Sequence, residues 1–198
     1  MNIIFDIGMV LIQWDPRYLY RKMFTDETKM EWFLANVCHS AWNLEQDRGR
    51  SFAEAVKLIT PHHPEYAAEI DAYDKRWAEM IPGVIKGSVD ILETLHKKGA
   101  PLYAITNWNQ HKFNETKMNY PFLNFFRDIV VSGDEKLIKP DPAIFEICLK
   151  RNNLKAAECL FIDDSEKNVR GAEAIGMQAH HFTTAETLRA DLKKRNLL

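Results

Sequence analysis

Residues 2–11, NIIFDIGMVL, give the clearest indication of the fold. Its first four residues, Asn2 to Phe5, form a short apolar run that ends at the carboxylate of Asp6. Such a run, bounded by polar residues, is typical of a buried strand. Four more runs have this character, the last two more weakly: Pro101 to Ile105, Cys159 to Ile162, Asp128 to Val131 and Gln178 to Phe182.

Amphipathic helical patterns separate these predicted strands. Apolar residues recur at helical spacing over five segments: Ser88 to Lys98, Asn109 to Met118, Pro142 to Arg151, Glu166 to Ile175 and Ala185 to Arg195. Alternation of strand and helix is typical of a parallel sheet covered by helices on both faces. The sequence therefore predicts an α/β fold with a Rossmann-like parallel sheet.

A long segment with almost no strand character follows the first strand. Between about residues 16 and 80 the apolar residues recur at helical spacing. Pro16 and Pro82 disfavour continued helix at its two ends, where we expect hinges. We expect a small helical cap domain at residues 15–83, inserted into a core formed by residues 1–14 and 84–198. The alternative is that these helices pack on one face of the sheet.

The composition of the 198-residue chain is that of an ordinary globular protein. Hydrophobic residues make up 46% of the chain and charged residues 27%, so it can bury a substantial core. A net charge of -2 provides no global basic field for nucleic-acid phosphates. No apolar run approaches the roughly 20 residues that span a bilayer. We expect a soluble cytoplasmic protein with no nucleic-acid or membrane partner.

The three cysteines, Cys38, Cys148 and Cys159, show neither paired spacing nor the spacing of a metal site. We expect them to be small buried side chains in a reducing compartment.

Polar side chains lie at the ends of the predicted strands. They are Asp6 after the first run, Thr106 and Asn107 after the run that ends at Ile105, and Asp163 and Asp164 after the run that ends at Ile162, with Lys139 in a loop before the third helical segment. In an open α/β sheet, ligands bind beyond the carboxyl ends of the strands, so we expect these side chains to meet. Three carboxylates at one edge would raise one another's pKa unless cations compensate. A lysine and a divalent metal ion would do so.

With these residues in this order, the sequence resembles the haloacid dehalogenase-like hydrolase superfamily over nearly its whole length. FDIGMVL at residues 5–11 is similar to the first motif of that superfamily, Thr106 to the second, Lys139 in KPDP to the third, and IDDSEKN at residues 162–168 to the fourth. The helical segment falls between the first two motifs, where one branch of the superfamily carries a helical cap.

The resemblance implies an enzyme that works through a covalent intermediate. Asp6 would attack the substrate, and water would then hydrolyse the acyl-type intermediate. Thr106 would hydrogen-bond the transferring group. Lys139 would neutralise charge on both nucleophile and substrate, which is the electrostatic stabilisation that phosphoryl transfer requires.

The resemblance also implies Mg²⁺ as cofactor. The expected ligands are Asp6, the backbone carbonyl of Gly8, and the pair Asp163 and Asp164, because Mg²⁺ prefers oxygen ligands and commonly binds through one or two carboxylates. Asp164 is the expected direct ligand. Asp163 and Asn168 would act through water or hold the direct ligand in place.

Gly8 is the position where the sequence departs from the common phosphatase pattern. Phosphatases of this superfamily usually carry a second Asp there, two positions after the nucleophile, as general acid and base. Proton transfer by such a group contributes about 10²–10⁴-fold to the rate. We therefore expect substrates whose leaving group departs without protonation, such as aryl, acyl or anomeric sugar phosphates, and rates that depend steeply on leaving-group pKa.

The superfamily contains metal-dependent phosphatases and metal-free dehalogenases. The pair Asp163 and Asp164 favours a Mg²⁺-dependent phosphatase of small phosphorylated metabolites, with sugar phosphates among the expected substrates. A dehalogenase has no multiply charged group for a metal ion to bridge, so the pair would be an uncompensated liability. The alternatives are a metal-independent 2-haloacid dehalogenase and a catalytically weak regulatory protein that binds a ligand or partner.

The helical segment is expected to supply substrate specificity by closing over the site. Arg17 is a candidate clamp for a phosphate or carboxylate, and Trp42 a candidate platform for a sugar. Asn107 is expected to contact the substrate because it follows Thr106. Weaker candidates are Trp14, Tyr18, Asn43 and Arg48, whereas Trp108 is expected to pack at the boundary of the cap.

Overall fold

Five parallel strands form a single sheet in the order β3-β2-β1-β4-β5. The computed structural model describes all 198 residues. The strands are β1 (Asn2–Phe5), β2 (Leu102–Thr106), β3 (Asp128–Val131), β4 (Cys159–Asp163) and β5 (Gln178–His181). The chain proceeds from β1 through β2 to β3 on one side, and then adds β4 and β5 on the other side of β1.

Alternate residues of the strands pack on opposite faces of the sheet. In β1, Ile3 and Phe5 belong to one apolar cluster, while Ile4 belongs to the other. Both faces are covered, so the three central strands contain almost only apolar residues, as parallel strands do when neither face meets water. The predicted α/β fold with helices on both faces is confirmed.

Six helices belong to the part of the chain that builds the sheet. They are α6 (Lys86–Lys97), α7 (Gln110–Lys117), α8 (Ser132–Glu135), α9 (Pro142–Arg151), α10 (Glu166–Ala174) and α11 (Ala185–Lys194). Helices α6 and α11 pack on each other, and α9 and α10 pack together on the other face. Helix α9 begins where Asp141 accepts a hydrogen bond from the Ala143 amide, with Pro142 in the first turn.

All regular elements between β1 and α6 are helical, and we refer to residues 17–80 as the helical insertion. Its α-helices are α1 (Arg17–Tyr20), α2 (Glu27–Asn36), α3 (Ser40–Asp47), α4 (Phe52–Ile59) and α5 (Ala67–Lys75), with short 3₁₀ turns at Thr60–His62, Pro64–Tyr66 and Trp77–Met80. Aromatic side chains fill its interior. The ring of Tyr73, for example, lies 5.0 Å from that of Trp42 and 5.8 Å from that of Phe52. Such pairs stabilise the interior beyond their buried area.

The three cysteines are buried and unpaired, as predicted. No helix has both the length and the apolar character that crossing a membrane requires.

Candidate active site

Three carboxylates converge where β1 and β4 end. Asp6 directly follows β1, Asp163 is the last residue of β4, and Asp164 comes next. One oxygen of each carboxylate lies within 4.8 Å of the others. The direction in which strands are added reverses between β1 and β4, and open α/β sheets bind ligands at that point.

Lys139 is the counter-ion of two of these carboxylates. Its Nζ lies 2.9 Å from Asp6 Oδ2 and 2.7 Å from Asp163 Oδ2, and its side chain is fully buried. Burial opposes the charged ammonium, but the two carboxylates outweigh that effect and raise the pKa of Lys139. The lysine therefore provides a fixed positive charge at the sheet edge.

Asn107 fixes the backbone of Lys139. Asn107 Oδ1 accepts a hydrogen bond from the Lys139 amide at 2.8 Å, and Asn107 Nδ2 donates to the Lys139 carbonyl at 3.1 Å. These two hydrogen bonds join the end of β2 to the loop that carries the lysine. The side chain of Asn107 thus positions Lys139, in addition to any contact with substrate.

Asp163 and Asp164 have different surroundings although they are neighbours in the chain. Asp163 accepts hydrogen bonds from the Ser165 amide at 2.8 Å and from Asn168 Nδ2 at 3.0 Å, besides its ion pair with Lys139. Asp164 is exposed, and its hydrogen bond to His181 uses the backbone carbonyl rather than the carboxylate. Partial burial of its carboxyl group and the charge of Asp163 raise the pKa of Asp164. Asp164 is the carboxylate that remains available to an incoming ion.

The charges of this cluster do not balance without a further cation. Three carboxylates share one ammonium, and burial together with the charge of Asp163 raises the pKa of Asp6 despite the opposing effect of Lys139. All donor atoms that the cluster offers are oxygens, which are the ligands of hard cations such as Mg²⁺. The residues present therefore fit a magnesium ion.

Thr106, the last residue of β2, carries a hydroxyl group without a partner. The residue is fully buried, and its Oγ1 makes no hydrogen bond within the protein. A buried polar atom left unpaired costs about 1–3 kcal/mol. Because β2 pairs with β1, this hydroxyl lies at the same edge of the sheet as Asp6 and is a candidate donor for an anion bound there.

A cavity of about 200 Å³ opens above this cluster. It is lined from the sheet side by Asp6, Gly8, Met9, Asn107, Trp108 and Asp164, and from the linker and helical insertion by Trp14, Asn43, Asp47 and Trp77. Four buried polar atoms of these residues have no partner in the protein: the indole nitrogens of Trp14, Trp77 and Trp108, and Asn43 Oδ1. The cavity therefore offers unused hydrogen-bonding groups to a polar ligand.

The structure brings some of the predicted site residues together and not others. Asp6, Lys139, Asp163 and Asp164 meet at one edge of the sheet, Thr106 ends the neighbouring strand β2, and Gly8 and Asn107 line the cavity. Arg17 instead forms a two-pronged ion pair with Glu31, at 2.6 and 2.7 Å. Trp42 packs inside the helical insertion. Neither Arg17 nor Trp42 lines the cavity, because each is occupied by neighbours within the insertion.

Three cavity residues are not among the candidates predicted from the sequence, namely Asp47, Trp77 and Met9, the last of which lies within the first motif. A signal for the first was present in the helical spacing: Asp47 lies four residues after Asn43, so both side chains emerge from the same face of α3. No comparable pattern identifies Trp77, which lies in a 3₁₀ turn of the insertion.

Comparison with known proteins gives one family over most of the chain. A family model described as haloacid dehalogenase-like hydrolase matches residues 3–181. A sesquiterpene phosphatase from Aspergillus oryzae is 31% identical over 104 residues, which is 52% of this chain and 53% of the relative. A glyceraldehyde 3-phosphate phosphatase from Pyrococcus abyssi is 30% identical over 131 residues, which is 64% of this chain and 53% of the relative. The matches thus span about half the length of these curated relatives.

Solved structures show the same fold. An enzyme of this family from Bacteroides thetaiotaomicron, crystallised with magnesium and inorganic phosphate, matches with a TM-score of 0.71 at 20% identity. The match covers 92% of this chain and 94% of that enzyme.

Proposed function

Because the chain belongs to the haloacid dehalogenase-like hydrolase family, we propose that it is a Mg²⁺-dependent phosphatase of small phosphorylated metabolites. The observation that carries the proposal is the unbalanced cluster at the sheet edge. Three carboxylates share one lysine, which leaves negative charge for a divalent cation to balance. The unpaired Thr106 hydroxyl at the end of the neighbouring strand β2 is a donor for a bound phosphoryl group. A site of this kind suits a dianionic phosphate better than an uncharged carbon–halogen bond.

In the proposed reaction, a carboxylate oxygen of Asp6 attacks phosphorus and the bond to the ester oxygen breaks. Lys139 holds the attacking carboxylate in place at 2.9 Å and offsets its charge as the dianion approaches. Thr106 donates its hydroxyl to a phosphoryl oxygen. Water then hydrolyses the aspartyl phosphate, which releases inorganic phosphate and restores Asp6. A Mg²⁺ ion held by Asp6, Asp164 and the Gly8 carbonyl would supply further positive charge to the phosphoryl oxygens.

The relatives support this choice of reaction. The two relatives described above are phosphatases, and the matching Bacteroides enzyme was crystallised with magnesium and inorganic phosphate. We include in the proposal a cap domain at residues 15–83 that covers the cavity, and a cytoplasmic location. A cavity of about 200 Å³ above the cluster favours a small substrate.

Metal removal tests the proposed reaction against its alternatives. We expect hydrolysis of an aryl phosphate with Mg²⁺ present, its loss after treatment with a chelator, and its return when Mg²⁺ is added back. Phosphate release is the measurement. Halide release from a 2-haloacid with the chelator still present would instead identify a dehalogenase. A protein that turns over neither compound, yet melts at a higher temperature with a bound metabolite, would be a binding protein.

Replacing Thr106 with Val tests the role of its hydroxyl. Valine keeps the shape of the side chain and removes a donor that bonds to nothing in the protein, so the free energy of unfolding should stay the same or rise. The value of kcat/KM should fall about 10²–10³-fold, the usual loss for one donor to the reacting group. Thr94→Val, on the exposed side of α6, is the matched control and should leave turnover unchanged. Equal turnover of Thr106→Val and wild type would show that the hydroxyl does not contact the phosphoryl group.

A further inference from the structure

The cavity contains one titratable group to which the proposed reaction assigns no role. Of its ten lining residues, only Asp6, Asp164 and Asp47 carry carboxyl groups, and none carries an imidazole, thiol or amine. Asp6 and Asp164 belong to the cluster at the sheet edge, whereas Asp47 comes from α3 of the helical insertion and lies outside that cluster. Its role is therefore open.

The surroundings of Asp47 favour a neutral carboxyl group. The residue is 8% exposed, and the only side chain that donates a hydrogen bond to its carboxyl group is Asn43, at a long 3.3 Å. The two nearest arginines in the chain are engaged elsewhere: Arg48 faces Glu45, and Arg50 donates to Gln46 Oε1 at 2.7 Å. No cation pairs with Asp47.

Two further charges act in the same direction. Asp47 is the last residue of α3, where the partial negative charge of the helix end disfavours an anion. Burial, together with the negative charge of Asp6, raises the pKa of Asp47 to about 8, although an Asn109 backbone hydrogen bond acts in the opposite direction. With this pKa the carboxyl group is mainly protonated at neutral pH, and it can act as a proton donor.

The end of α3 is fastened to the sheet-bearing part of the chain, which fixes the position of Asp47. Ser132 Oγ donates to the Asp47 carbonyl at 2.6 Å, and Asn109 Nδ2 donates to the Gln46 carbonyl at 3.1 Å. Both donors belong to segments that follow strands of the sheet. These two hydrogen bonds therefore fix the end of α3, and with it the Asp47 carboxyl group, at the wall of the cavity.

The side chain missing at Gly8 leaves space in the same cavity. A Cβ atom built on Gly8 would meet no atom within 4 Å, so packing does not require a glycine there. A carboxyl group reaching the cavity from the helical insertion would make an acid at position 8 unnecessary. Asp47 is the only carboxyl group that meets this description.

We propose that Asp47 is the general acid and base of the phosphatase reaction, an inference that rests on the function proposed above. As the bond between phosphorus and the ester oxygen breaks, the Asp47 carboxyl donates its proton to the departing oxygen, which leaves as an alcohol. The Asp47 carboxylate then takes a proton from the water that attacks the aspartyl phosphate. Hydroxide adds to phosphorus, the bond to Asp6 breaks, and both carboxyl groups return to their starting states.

This inference changes the substrate class expected from Gly8. With an internal acid, the enzyme hydrolyses alkyl phosphates such as ordinary sugar and polyol phosphates, whose leaving groups need a proton. The dependence of the wild-type rate on leaving-group pKa is then shallow rather than steep.

The test measures release of alcohol in the first turnover, with Mg²⁺, over a series of esters from alkyl phosphates to aryl phosphates of acidic phenols. The Asp47→Asn variant should lose about 10²–10⁴-fold on alkyl esters and less than about tenfold on the acidic aryl esters. Retained aryl turnover also shows that the variant folds and binds substrate. Glu54→Gln, an exposed carboxylate on the neighbouring helix α4, is the control and should behave as wild type.

A second variant asks whether the lost group is a proton donor. Adding Gly8→Asp to Asp47→Asn puts a carboxyl group into the open space beside Asp6 and should restore much of the alkyl-ester rate. An equal loss on all esters, no loss on any, or no recovery in the double variant would overturn the role of Asp47. If wild-type protein hydrolyses no phosphate ester with Mg²⁺, the proposed function itself fails, and the role of Asp47 fails with it.

Discussion

Asp6→Asn is expected to abolish turnover while leaving the fold intact. The amide cannot attack phosphorus as the carboxylate does, so kcat should fall by about 10⁴-fold or more, leaving only the contributions of binding and fixed charge. The side chain keeps its size, and its oxygen can still accept the 2.7 Å hydrogen bond from the Ile7 amide. Phosphate release and circular dichroism measure the two effects.

A direct readout of the nucleophile accompanies this variant. Wild-type protein quenched in acid during turnover should carry one additional phosphoryl group by mass spectrometry, and Asp6→Asn should carry none. Asp90→Asn, an exposed carboxylate that pairs with Lys86 on α6, is the control and should retain both turnover and labelling. Labelling of Asp6→Asn, or more than about a hundredth of wild-type turnover, would exclude Asp6 as the nucleophile.

Lys139→Met is expected to lower both stability and activity. Methionine is similar in length to lysine but carries no charge. The substitution therefore leaves Asp6 and Asp163 buried beside each other without a counter-ion. Breaking a buried ion pair by removing one partner costs about 3–5 kcal/mol. Urea unfolding in the presence of a chelator measures this change without a contribution from bound metal.

An exposed lysine provides the matched comparison. Lys150→Met removes an ion pair with Glu146 on the surface of α9, where the lysine side chain is 78% exposed. Exposed pairs contribute about 0–1 kcal/mol, so the free energy of unfolding should change little. Equal small changes in both variants would mean that Lys139 does not compensate the buried carboxylates.

The strands were predictable because a parallel strand buried on both faces has a distinctive composition. All five predicted runs are strands, and the differences lie at their ends. Thr106 and Asp163 were expected to follow strands, but each is the last residue of one. Thr106 is in register with Val131 and Asp163 with His181. The hydrogen bonds between neighbouring strands join backbone groups, so a strand can continue past its last apolar side chain. The apolar pattern alone therefore does not show where a strand ends.

The residues of the candidate site were likewise predictable only in part. Asp6, Thr106, Lys139, Asp163 and Asp164 follow from their places at strand ends and in one loop, because the carboxyl ends of parallel strands meet at one edge. The side chains of the helical insertion do not follow from any such rule. Arg17 and Trp42 are of residue types that often bind ligands. In the structure, however, Arg17 pairs with Glu31 and Trp42 packs in the aromatic interior of the insertion.

Local sequence pattern and the common direction of the strands are sufficient to predict the α/β fold, the family and the candidate residues at the sheet edge. The residues that complete the cavity become evident only from the three-dimensional packing. Asp47 reaches the cavity because Ser132 and Asn109 hold the end of α3 across 85 and 63 residues of chain, respectively. Contacts over such separations depend on the packing of the whole molecule, and no local periodicity encodes them.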